Sequence, residues 1–112
     1  MLLRNRRSAA YRFAVDEPAP AMKRIAEAAE SKGSVAGSGI GVAIPDKVLP
    51  DVGPVQWIIS SDGGIQGSAP DRGLVVLLTP VMRDKKVEWK CKLEPQREFL
   101  PGACRAIESA SR

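Results

Sequence analysis

Between Val55 and Cys91 the chain is cut by tight turn signals into short alternating or apolar runs, and this constrains the fold more than any other feature. "VQWIISS" places Val55, Trp57 and Ile59 on one face of a strand and Gln56, Ile58 and Ser60 on the other. Asp62-Gly63-Gly64 is a turn, and Ile65-Gln66 begins a return strand. After the turn "APDRG", "LVVLLT" is apolar on both faces, which predicts a central strand covered on both sides and ended or interrupted by Pro80. Arg83-Asp84-Lys85-Lys86 turns the chain again, and "VEWKC" alternates. Val87, Trp89 and Cys91 point one way, and Glu88, Lys90 and Lys92 the other. Turns this short make successive strands antiparallel neighbours, so a four-stranded meander is expected.

Upstream, one segment has the period of a helix. Met22, Ile25, Ala26 and Ala29 fall at i, i+3, i+4 and i+7. Pro20 suits the first helical position, Asp16 and Glu17 lie near the positive end, and Gly33 is a natural stop. The apolar face is narrow and made largely of small residues, as for a helix lying close against a sheet. The expected fold class is α+β, one N-terminal helix packed on a four-stranded antiparallel sheet. Residues 1–15, with Arg4, Arg6, Arg7 and Arg12, read as a basic N-terminal tail, and residues 16–112 as one globular domain.

Residues 33–54 are rich in Gly, Pro and Ser and read as a long irregular connection, pinned by Val42, Ile44, Val48 and Leu49. Gly37-x-Gly39 is a poor phosphate loop. It follows a helix and runs towards prolines, whereas such a loop follows a strand and opens a helix.

The composition excludes much chemistry. The chain has no histidine, so Ser-His-Asp and Cys-His catalysis are absent. Ser60 and Ser61 therefore lack a histidine base, and Asp46 and Asp51 have no converging partner in the sequence. Two cysteines cannot complete a Cys/His zinc site, and their spacing is not Cys-x-x-Cys. No catalytic residue, metal or cofactor is expected. Cys91 and Cys104 are either a disulfide or two free thiols. A closed loop of this length would contribute about 3 kcal/mol and would suit an oxidising compartment. Yet no apolar run of a signal peptide follows the N-terminal arginines, and no stretch approaches a membrane span.

The stretch "VEWKCKLEPQREFLPGACR" carries a resemblance. Trp-x-Cys leaving the last strand, followed by Leu-Pro-x-x-Cys-Arg, resembles the end of a type IV pilin, and "WIISSDGGIQ" and "LVVLLTP" are similar to strands of that family. The likeness covers roughly residues 55–105. It implies a pilin-like globular head whose C-terminal loop is closed by a Cys91–Cys104 disulfide. It also implies an extracellular filament subunit, held in the inner membrane before assembly. Such a subunit serves adhesion, twitching motility or DNA uptake, and its partners are other pilin subunits and a host surface or DNA. The family's leader, methylated terminus and apolar first half-helix have no counterpart here, so the resemblance implies a shortened form that meets a membrane only through the missing segment.

Two further readings accompany it. The net charge is +4, and Arg83, Lys85, Lys86, Lys90, Lys92 and Arg97 gather around the last strand and loop. They form a candidate DNA-binding stripe, interrupted by Asp84, Glu88, Glu94 and Glu98. The other reading is a small cytosolic α+β domain with free thiols.

Overall fold

The computed structural model describes residues 9–94. It contains a short α1 (Ala9–Tyr11), a π-helical turn (Arg12–Asp16), α2 (Ala19–Lys32) and five strands: β1 (Lys47–Leu49), β2 (Gly53–Ile59), β3 (Ile65–Ala69), β4 (Leu74–Arg83) and β5 (Lys86–Glu94). The strands form a single antiparallel meander in the order β1-β2-β3-β4-β5.

The sheet has five strands where four were expected. The additional one, β1, lies in the segment read as irregular connection. The three residues of β1 are too few to display a period of two. The turn into β2 makes the strand. Pro50 and Asp51, the latter at φ 63°, occupy the centre of a turn closed by the Val52 N–H donating to the Leu49 carbonyl at 3.1 Å. A proline followed by a positive φ is the pattern of a type II turn.

Two expectations for β4 also change. Leu74, Val76 and Leu78 are buried, but Val75 and Leu77 are only half-buried, so a single face of the strand is covered. Nor does Pro80 end the strand, which runs on to Arg83. β3 pairs with β4 only from Leu74 to Leu78, so Pro80 sits beyond β3, paired to Trp89 of β5. An edge position tolerates the absent N–H.

The helical segment begins earlier than its period suggests. Residues 9–15, expected as tail, enter the core through Phe13 and Ala14, both fully buried. Pro18 explains the π turn. It offers no N–H to the Ala14 carbonyl and its ring crowds that position. The register widens instead, with the Glu17 N–H donating to the Arg12 carbonyl at 3.0 Å. α2 then buries Ala21, Ile25 and Ala29, with Met22 and Ala26 partly covered. Gly33, at φ 79°, ends it as expected.

α2 packs on β4 and β5. Beneath it lie Val76, Leu78, Val87 and Trp89, while Phe13 meets Trp57 with ring centroids 5.3 Å apart. A carboxylate oxygen of Glu30 accepts the Val87 N–H at 2.9 Å, tying the helix to the outermost strand. Glu30→Ala is expected to lose about 1–3 kcal/mol of stability, because it strands that donor, whereas Glu30→Gln keeps an acceptor and loses less. Urea unfolding of the two variants measures the difference.

Residues 33–46 dock on the β2–β3 turn. The Gly39 N–H donates to the Ser61 carbonyl at 3.0 Å, and Ser38, buried, donates through Oγ to the Val35 carbonyl at 2.7 Å. A Cβ on Gly39 would collide with the Ser60 carbonyl oxygen. The Gly37-x-Gly39 motif is therefore a packing device. Of the expected pins, Leu49 is buried, Val42 and Ile44 are half-buried, and Val48 is exposed.

Candidate nucleic-acid interface

The strand register puts most of the expected basic stripe on one face. Residues of β4 and β5 that stand opposite each other across the ladder, on the side away from α2, are Val75 and Glu94, Leu77 and Lys92, Thr79 and Lys90, Val81 and Glu88, and Arg83 and Lys86. All of them are exposed or half-buried. The period of two brings this about. Once Val87, Trp89 and Leu93 are drawn into the core, Lys86, Lys90 and Lys92 must face outward. Arg83 joins them because it pairs with Lys86 across a two-residue turn.

That turn is Asp84-Lys85, with φ 53° and 68°. Positive values at both positions mark a type I′ turn, whose twist matches that of the strands it joins. Lys85 is thus held at the hairpin tip. Arg97 lies outside the described residues.

Of the carboxylates foreseen among these cations, Glu88 and Glu94 are on the same face and each engages one of them, Asp84 is in the turn, and Glu98 lies outside the described residues. Arg83 Nε is 3.6 Å from Glu88 Oε1, and Lys92 Nζ is 3.7 Å from Glu94 Oε2. The Lys92–Glu94 pair is largely solvated and the Arg83–Glu88 pair is solvated on its arginine side, so each is worth no more than about 1 kcal/mol. Among the described residues, Lys86 and Lys90 have no carboxylate partner.

Sequence reasoning missed the apolar part of the surface. Ile58 is 67% exposed and Val81 39% exposed on this face, and Leu77 is half-buried between them. One row across the sheet reads Ile58, Gln66, Leu77, Lys92. A shallow depression of about 260 Å³ lies along it, lined by Ile58, Ser60, Gln66, Leu77 and Thr79 among others. The signal was present in "LVVLLT": a strand apolar on both sides can mean one buried face and one sticky face as well as two buried ones.

The other expected features separate. Asp46 Oδ1 accepts the Trp57 N–H at 3.4 Å, and the Asp51 carbonyl accepts from Arg72, so both aspartates serve the β1–β2 edge. Ser60 Oγ accepts the Gly64 N–H at 3.0 Å and closes the β2–β3 turn. Among the described residues no cluster of three His, Cys, Asp or Glu side chains could hold a metal, and no helix is long and apolar enough to cross a membrane.

Cys91 is half-buried in β5 and is not a free thiol. Cys104, and with it the loop expected to be closed by a disulfide, lies outside the described residues; no disulfide joins two described residues.

A scan against protein-family models and searches of curated proteins and solved structures return no match. This corrects what the pilin resemblance was taken to imply. Pilus, fimbrium, adhesion, twitching motility, DNA uptake, a secreted filament and methylation find no support in any comparison. Of the residues that carry the likeness, Trp89 and Cys91 lie inside β5, which runs on to Glu94, and the Leu-Pro-x-x-Cys-Arg part lies outside the described residues.

Proposed function

We propose that this domain is a DNA-binding module with no chemistry of its own. The observation that carries the reading is the placement of Arg83, Lys86, Lys90 and Lys92 on one uncovered sheet face, with Lys85 at the adjoining tip. The ladder fixes the backbone spacing of the four cations, so only their side chains have to be ordered on binding. Helix α2 occupies the opposite face, and among the described residues no element covers the stripe.

The test is electrophoretic mobility shift or anisotropy with DNA at two salt concentrations. Phosphate contacts by Lys85, Lys90 and Lys92 predict a salt slope of about −2.7 on a duplex, so affinity should fall roughly fortyfold between about 50 and 200 mM salt. Replacing Lys90 by Ala should reduce the slope by about 1. Absence of binding at the lower salt, or an affinity that salt does not change, overturns the proposal.

A further inference from the structure

β4 and β5 outrun the rest of the sheet. Their pairing continues for five rungs beyond the last β3 contact: Thr79 with Lys90, Pro80 with Trp89, Val81 with Glu88, Met82 with Val87 and Arg83 with Lys86. At about 3.4 Å per residue this makes a two-stranded ribbon roughly 17 Å long. One face of it, Pro80, Val87 and Trp89, is buried. Helix α2 stiffens that side, through Ile25 near Pro80 and Glu30 on the Val87 N–H. The other face carries Thr79, Val81, Arg83, Lys86, Glu88 and Lys90.

Resting on the DNA reading above, we infer that this ribbon enters the major groove of duplex DNA with its uncovered face. The groove is about 12 Å wide and admits a two-stranded ribbon. The groups on the face are those its code requires. Arg83 and Lys86 are donors for the O6 and N7 acceptors of guanine. Glu88 is an acceptor for the amino group of cytosine, and Thr79 and Val81 offer apolar contact to the methyl group of thymine. Lys85 at the tip and Lys90 on the ribbon are placed for the flanking phosphates.

A single strand fits this face less well. Binding of unpaired bases depends on aromatic stacking platforms. Both tryptophans, Trp57 and Trp89, are turned into the core, and the uncovered rows of β2 to β5 hold no aromatic side chain. The shallow depression beside Leu77 is lined by aliphatic and small polar groups.

The experiment compares a duplex of about twenty base pairs with each of its separated strands at low salt, using the wild-type protein, Lys92→Ala and the double variant Arg83→Ala/Lys86→Ala. A guanine-N7 methylation-interference assay on the wild-type complex accompanies it. The expected results are a duplex bound at least about tenfold more tightly than either strand, and interference at guanine N7, which lies in the major groove. The double variant, confirmed as folded by its melting curve, should lose duplex affinity about tenfold or more, while Lys92→Ala, away from the ribbon, loses only a few-fold. Equal or tighter binding of a single strand, or no N7 interference, overturns the ribbon inference and leaves the DNA reading intact. Failure to bind either form overturns both. The interference result needs no variant, so it decides the point even if the double variant does not fold.

Discussion

Replacing Trp57 by Ala is expected to cost about 3–5 kcal/mol, a large part of the stability of a domain this size. The indole is over nine-tenths buried and holds two parts of the core together. On one side it meets Phe13, the residue that anchors the N-terminal helical turn. On the other it lies flat over Gly67, its cross-strand partner in β3. A Cβ on Gly67 would come within 2.7 Å of Cε3 and Cη2 of the ring, and closer still to Cζ3. The glycine is therefore a seat for the indole, and nothing nearby can fill the space when the ring is removed. Trp57→Phe should cost far less. It keeps an aromatic against Phe13 and removes the buried Nε1–H, which has no hydrogen-bond partner. Guanidinium unfolding followed by the fluorescence of Trp89, the remaining tryptophan, measures both variants. A loss for Trp57→Ala below about 1.5 kcal/mol would show that this core is not built around the ring.

Gly63→Ala is the second substitution with a large expected effect, about 2–5 kcal/mol destabilising. Gly63 has φ 91°, where a side chain is strained, and its position is crowded from three directions. A Cβ would lie 2.6 Å from Ser38 Oγ, 2.7 Å from Ile25 Cγ2 and 3.0 Å from Pro80 Cγ. The docked connection, helix α2 and the start of the β4–β5 ribbon thus converge on one residue of the β2–β3 turn. Gly41→Ala separates the two causes. Gly41 has φ 81° with nothing within 4 Å of the added methyl, so it should show only the backbone part, about 1–2 kcal/mol. Equal losses for the two variants would refute the convergence. If the difference is found, Gly63→Ala should also loosen the ribbon, because Pro80 must move.

Much of this was legible in the sequence where local signals dominate. The alternation in "VEWKC" assigned Val87 and Trp89 to the core and Lys90 and Lys92 to solvent, and the structure places them so. Asp62-Gly63-Gly64 and Arg83-Asp84-Lys85-Lys86 marked real turns, and Gly33 a real helix end. The misses share a cause. β1 is three residues long and exists only because the turn at Pro50-Asp51 presents it to β2. Phe13 looked like part of a basic tail because its partner, Trp57, is 44 positions away in sequence. The uncovered face of β4 could not be told from a covered one, since apolar side chains alone do not report how many layers a protein has. The pilin-like motif order was legible too, but its second half lies outside the described residues and no family model matches the chain.

The sequence by itself determined the meander, the helix and the side of β5 on which the lysines stand, because periods of two and 3.6 are properties of consecutive residues. Only the tertiary structure decided that β4 and β5 project past β3, that α2 stiffens one side of that projection, and that Arg83 shares its other side with Lys86 and Lys90. Those facts depend on where neighbouring strands stop. Strand ends are set by packing between segments distant in sequence, as at Gly63, where Ser38, Ile25 and Pro80 meet.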